Sequence, residues 1–232
     1  LSINAAADAP RARPAIDSTF GFNTIVTDQH TRLRGVSLSW DGGDPYGSQP
    51  KTIPTTAQLQ RLSDTFGLNT IHVYLEGNAS QNPNPVGVNL ADADALVAAT
   101  REAGLYVILT IGCNGENGSI YSMDFARDFW SIYAPRYKDE SHVIYEAHNE
   151  PALYTPSQWA VQDWNRQVEL YHHIRDRAPD SLILLGSFMG FAGDPTFGID
   201  LLEANGVIWD NCALAHHGYE SKSGIESTIE SV

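Results

Sequence analysis

The sequence predicts an α/β fold built on a parallel sheet, either doubly wound or closed into a barrel. Three observations predict it. From Leu33 onward, short β-branched runs of strand length alternate with longer segments whose apolar residues recur three and four apart. Helix start and stop signals punctuate the longer segments. Neither a G-x-G-x-x-G after the first strand nor a G-x-x-x-x-G-K-[ST] anywhere occurs, so nucleotide-binding readings lose their main support.

Residues 1–20 read as a flexible N-terminal tail. They lack a charged leader and a proper apolar stretch, so they suit a frayed terminus or the trailing edge of a removed export signal. Residues 21–232 form one domain. Runs at 22–26 and 31–33 suggest a hairpin turning near Asp28, of the kind that lids the closed bottom of a barrel. Strands are then predicted at 33–40, 70–75, 106–111, 143–148, 182–186 and 213–217.

The helices between them carry their own signals. Thr55 is followed three residues later by Gln58, and Thr155 by Pro156 and Gln158, both matching a capping box. The first helix presents Leu59, Leu62 and Phe66 on one face and stops at Gly67, and another stops at Gly104. Each glycine suits a left-handed cap. A later helix spaces Val161, Trp164, Val168, Tyr171 and Ile174 helically, which assigns its aromatics to the core.

Composition mostly excludes. With 42% hydrophobic and 10% aromatic residues the chain can bury a substantial core. A net charge of -14 would repel a phosphate backbone, so nucleic acid is not an expected partner. No apolar run approaches the roughly 20 residues needed to cross a bilayer, so no membrane partner is expected either. Cys113 and Cys212 make no disulfide framework and read as two buried thiols. Of the eight histidines, the pairs His172-His173 and His216-His217 lack zinc-site spacing, so no metal is expected.

The informative segment is 144–151, I-Y-E-A-H-N-E-P, which ends a strand with polar and ionisable groups. Active groups in α/β barrels sit at the C-terminal strand ends. Glu150 there could serve as a general acid, its proton held by partial burial and an anionic neighbour. Asn149 beside it can donate to a hydroxyl. Glu146, His148 and Glu150 share strand parity and should face the interior. A buried Glu146 needs a partner, and Arg34 on the first strand is the candidate. Trp40 could offer its ring to a ligand, as could Tyr74 and Tyr46 from neighbouring positions.

Residues 145–151 match the pattern Y-E-x-x-N-E-P, and here the chain resembles glycoside hydrolase family 5, the cellulase and mannanase family of clan A. Phe129-Trp130, Tyr137-Lys138 and His142-Val143-Ile144 are similar to its third helix and approach to strand four. Leu33-Arg34-Gly35-Val36 looks like its first strand, residues 105–109 like its third, and His217-Gly218-Tyr219 like the His-x-Tyr closing its sixth. The resemblance covers most of 33–219. It implies a (β/α)8 TIM barrel, incomplete in this chain, with strands one to six present and seven and eight missing.

It also implies a retaining, endo-acting β-glycan hydrolase with Glu150 as acid/base and no cofactor. Asn149, His217 and Tyr219 become cleft residues, joined by Trp40, His148 and His72 in the expected substrate-binding set. The partner is a β-linked polysaccharide or oligosaccharide, and the location is extracellular. Two positions depart from the family: His72 stands where an arginine is usual, and Gly112 where a histidine is usual. Retaining hydrolysis needs a second carboxyl about 5 Å from the first. The family's nucleophile ends strand seven, so it is expected C-terminal to this chain, with the rest of the barrel supplied as a separate chain or segment. Glu76, Glu116 and Glu220 are weaker in-chain candidates. The alternative is an inactive carbohydrate-binding pseudoenzyme on the same barrel.

Overall fold

The computed structural model describes residues 12–18, 23–38, 53–75, 90–111, 123–150, 161–188, 196–218, 221 and 223. Two short strands, β1 (Ala15–Asp17) and β2 (Thr24–Val26), pair antiparallel. Then β3 (Gly35–Leu38), α1 (Thr56–Phe66), β4 (Thr70–Tyr74), α2 (Leu90–Glu102), β5 (Tyr106–Thr110), α3 (Met123–Tyr137) and β6 (Val143–Glu146) alternate. The series ends with α4 (Val161–Arg175), β7 (Ile183–Leu185), α5 (Thr196–Ala204) and β8 (Cys212–Leu214). Strands β3 to β8 pair in parallel and in sequence order. This is the strand–helix alternation of a (β/α)8 barrel, and each of the six strands lies within the range predicted for it or begins one residue earlier.

Side-chain alternation divides the interior in two. Ile71 and Val73 of β4, Val107 and Leu109 of β5, Tyr145 of β6 and Leu185 of β7 are buried outward against the helices. They meet Leu59, Leu96, Phe129, Trp130, Trp164 and Leu202 there. The opposite parity forms a smaller inner cluster of Tyr106, Ile144, Leu182 and Leu184. Ile16 and Ile25 of the β1–β2 hairpin pack on that cluster, so the hairpin covers the barrel floor.

The hairpin differs from expectation in its pairing. The turn after β2 exists, with the Thr27 amide donating to the Thr31 carbonyl at 2.8 Å and a single bridge between Val26 and Arg32. The ladder itself runs to β1, which lies inside the stretch 1–20 read as tail.

Helix punctuation matches its chemistry. The Gln58 amide donates to Thr55 Oγ1 at 3.3 Å, and the Thr55 amide donates to Gln58 Oε1 at 2.9 Å, closing the capping box. Gly67 takes a left-handed φ of 64° and donates to the Ser63 carbonyl at 2.8 Å. Thr155, Pro156 and Gln158 lie outside the described residues. Two residues of these apolar faces are exposed: Phe66, 70% accessible in the last turn of α1, and Val161, 51% accessible at the start of α4. At helix ends a residue can keep the right angular phase yet have no neighbouring element above it. Trp164, Tyr171 and Ile174 are buried as expected.

Gly198 in α5 shows why a helix interior accepts a poor helix former. A Cβ there would sit 2.2 Å from the Trp164 ring. Propensity alone favours alanine by about 1 kcal/mol, but overpacking a tight contact costs about 1–3 kcal/mol, so the contact should win. Gly198→Ala is expected to lower stability by about 1 kcal/mol in urea denaturation. A gain would mean that Trp164 can move aside.

Candidate active site

Strand β6 delivers the site. Glu146 ends the regular strand, and the backbone beyond it stays tied to both neighbouring strand ends. The Ala147 amide donates to the Leu184 carbonyl at 3.0 Å, Asn149 to Ile111 at 2.9 Å and Glu150 to Ser187 at 2.7 Å. Trp130 Nε1 donates to the Ala147 carbonyl at 2.9 Å from the outer layer. Glu150 adopts φ 49°, a left-handed conformation uncommon for a residue with a side chain. Such strain is tolerated where the surroundings over-determine it, and here three interstrand bonds do so.

A chain of polar side chains runs along the inner face of the sheet from the exposed Ser37 of β3 to His217, three residues past β8, and on to Glu150. Ser37 Oγ lies 3.3 Å from His72 Nδ1, and His72 Nε2 lies 2.5 Å from Glu146 Oε2. Glu146 Oε1 lies 3.3 Å from His217 Nε2, and His217 Nδ1 lies 3.1 Å from Glu150 Oε1. Both nitrogens of His217 therefore face carboxylates, an arrangement that only an imidazolium satisfies with two donors. Burial pushes His217 down, but its bonds to Glu146 and Glu150 outweigh that and raise it to about 9. Burial likewise pushes Glu146 up, and the bonds from His217 and His72 overcome it, holding the carboxyl well below its ordinary range.

The expected Glu146–Arg34 pair is corrected by this geometry, for Glu146 bonds to His72 and His217. Register explains the miss. Glu146 pairs with Thr110, Thr110 with Tyr74, and Val73 with Leu38. The level of Glu146 therefore lies beyond Leu38, the last residue of β3, which is itself four residues above Arg34, or about 13 Å along a strand. Alternate strands of a tilted barrel contribute to one layer, which brings His72 of β4 to Glu146 of β6. Ser37 was missed altogether, although its inward parity on β3 could have indicated it.

The remaining expected site residues fall as follows. Asn149 is 2% accessible, and its backbone secures the strand extension. His148 is equally buried and bonds through Nδ1 to the Asn149 carbonyl at 3.0 Å, and burial pushes it down to about 4. It stands apart from the Ser37-to-Glu150 chain. Tyr74 packs edge-on against His72 at 5.1 Å. Glu150 is contacted by the His217 imidazole, a neighbour not foreseen beside the expected anionic one. Trp40, Tyr46, Tyr219, Glu76, Glu116, Glu220, Gly112 and Cys113 lie outside the described residues. Cys212 is buried with its thiol raised to about 12. Among the described residues no group of three His, Cys, Asp or Glu has metal-holding geometry, and no helix is long and apolar enough to cross a membrane.

The cluster makes stability depend on pH in both directions. His217, raised from 6.5 to about 9, stabilises fully below 6.5, and its contribution is lost as pH rises through about 9. Glu146 contributes above the ordinary carboxylate value of 4.5 and loses that contribution as pH falls. His148, lowered from 6.5 to about 4, contributes above 6.5 and loses its share as pH falls through about 4. Urea midpoints should therefore decline from pH 6.5 to 9 in the parent protein, and this decline should flatten in His217→Asn. An equal decline in both would show that His217 is not the group responsible.

Comparison with known proteins agrees with this architecture. Residues 24–229 match the family model described as Cellulase (glycosyl hydrolase family 5). The chain is 28% identical over 166 residues to endoglucanase CelA of Streptomyces lividans, covering 69% of this chain and 32% of that protein. It is 30% identical over 175 residues to endoglucanase N of Pectobacterium atrosepticum, covering 70% and 35%. The chain thus spans about a third of the length of the curated relatives it matches. Among solved structures it resembles cellulase Cel5C_n, with a TM-score of 0.65 and 18% identity over 99% of this chain and 69% of the other. It also resembles the catalytic domain of Thermobifida fusca endoglucanase Cel5A in complex with cellotetraose, with a TM-score of 0.66 and 20% identity over 96% and 72%.

Proposed function

Because the chain belongs to glycosyl hydrolase family 5, we propose that the intact protein hydrolyses internal bonds of a β-glycan with net retention, Glu150 acting as acid/base. The observation that carries this reading is the placement of Glu150. It ends an extension of a central strand that three backbone bonds, one of them its own, tie to the neighbouring strand ends, and it takes a charge-assisted contact from His217.

In the first step Glu150 gives its proton to the departing glycosidic oxygen while a second carboxylate attacks the anomeric carbon. In the second, Glu150 takes a proton from the water that releases the sugar. Glu146 is a poor candidate for the second carboxylate, being fully buried and bonded to two imidazoles. We place the nucleophile on a seventh strand, since retaining hydrolysis needs a second carboxyl about 5 Å from the first. The substrate is a β-linked glucan by preference, since the curated relatives are endoglucanases, and the setting is extracellular. Asn149, His217, Tyr219 and Trp40 are proposed to contact sugar.

The test is to incubate the intact protein with cellulosic, mixed-linkage and mannan substrates and measure new reducing ends. Chain shortening of a β-glucan that Glu150→Gln abolishes is expected. Binding of these glycans without any hydrolysis would replace the enzyme with a carbohydrate-binding protein on the same barrel.

A further inference from the structure

A general acid needs its proton on the oxygen that faces the leaving group, and the cluster beneath Glu150 supplies a means of choosing that oxygen. Resting on the reading of Glu150 as acid/base, we propose that Glu146, clamped by His72, is a positioning residue that keeps His217 an imidazolium and so directs the transferable proton of Glu150 to Oε2.

Four contacts carry the argument. Glu146 is 1% accessible, and each of its oxygens meets one imidazole: Oε2 the Nε2 of His72, Oε1 the Nε2 of His217. His72 is itself fixed from the other side, since Ser37 Oγ lies 3.3 Å from Nδ1. The hydroxyl can donate to Nδ1 and leave the proton of the ring on Nε2, where Glu146 accepts it. An ionised, desolvated Glu146 must have a cationic partner, and of the two imidazoles it meets His217 is the one with a carboxylate at each nitrogen. With Nε2–H committed to Glu146, the second N–H of His217 points at Glu150 Oε1, 3.1 Å away.

That second donor makes Oε1 an acceptor in every protonation state of Glu150. The proton of the neutral acid therefore sits on Oε2. When the glycosidic bond breaks, the Oε2–H bond is lost, the proton passes to the leaving oxygen, and the new carboxylate keeps its bond from His217. When water attacks the glycosyl-enzyme, its proton returns to Oε2. His217 retains both protons throughout, so its charge never enters the balance. Without Glu146 the His217 imidazolium would lose its counter-ion and deprotonate at lower pH, and a neutral Nδ1 would then accept the Glu150 proton on Oε1, away from the leaving group. Among the described residues, the groups facing this pair are His72 and Tyr74 from β4, Ser37 from β3, and His148 and Glu150 from the β6 extension. His148 is held neutral by burial and so adds no competing charge.

The experiment compares the intact protein with Glu146→Gln and Glu150→Gln on two substrates. One is a soluble β-glucan, whose leaving group needs protonation. The other is an aryl β-glycoside whose phenol leaves unaided. Glu146→Gln should lower the alkaline limb of kcat/KM for the glucan by about 1 pH unit, the low end for removing the charged partner that His217 contacts. It should also slow the glucan about tenfold more than the aryl glycoside, a split that general loss of folded protein cannot produce. Glu146→Asp should recover part of the shift. The same substrate split in Glu150→Gln together with an unmoved limb in Glu146→Gln would overturn this inference alone. Absence of the split in Glu150→Gln would overturn the reading of Glu150 itself. Should Glu146→Gln fail to fold, the 15N resonances of the His217 ring at pH 7.5 decide on the parent protein. Two protonated nitrogens are expected, and a neutral ring would contradict the proposal.

Discussion

Glu150→Gln is expected to reduce kcat on a β-glucan by about 10²- to 10⁴-fold, the usual contribution of a positioned general acid. The thermal midpoint should barely move. Glutamine keeps the shape of the side chain and an oxygen that His217 can bond, so the packing around a 6% accessible residue survives. What is lost is the transferable proton. KM should change little, because the substitution removes an interaction made in the transition state rather than in the bound ground state. A loss divided between kcat and a raised KM would instead make Glu150 a binding residue.

Trp130→Ala should lower stability by about 3–5 kcal/mol, the range for deleting a large aromatic from a core. Trp130 is fully buried and packs at 5.0 Å from Phe129 and 5.3 Å from Tyr145, ring to ring. It also supports the site, because its indole N–H holds the Ala147 carbonyl three residues before Glu150. Trp130→Phe keeps most of the volume but removes that donor. It should cost less in urea unfolding, about 1–3 kcal/mol for the unpaired buried carbonyl, while still lowering kcat through displacement of Glu150. Unchanged turnover in Trp130→Phe would show that the β6 extension is secured by its interstrand bonds alone.

The strand and helix order was legible because each βα unit carries independent and agreeing signals. Thr55 and Gln58 start α1, Gly67 stops it, and β4 begins three residues later with a β-branched run. The place of Glu150 just past a strand end was legible because its neighbours form a specific pattern there. The partners of Glu146 were not, since they depend on how far one strand slides past the next, and no residue spells that out locally. His72, two residues below the in-register position on β4, reaches Glu146 because barrel strands tilt. The strand Ala15–Asp17 escaped notice for another reason: three residues give no period, and only pairing with β2 over the barrel floor makes them a strand. Phe66 and Val161 show the complementary limit, that helical phase reports direction without reporting depth.

Chemical rescue shows whether the Glu150 carboxyl transfers a proton at the glycosidic bond. Glu150→Ala is supplied with an aryl β-glycoside bearing a good leaving group, so that the glycosyl-enzyme forms without an acid, and azide is then added. Proton transfer by Glu150 entails faster turnover and accumulation of a glycosyl azide of β configuration, since a small anion can occupy the space of the missing base. Turnover indifferent to azide, with the glycosyl-enzyme hydrolysing at the parent rate, would contradict it.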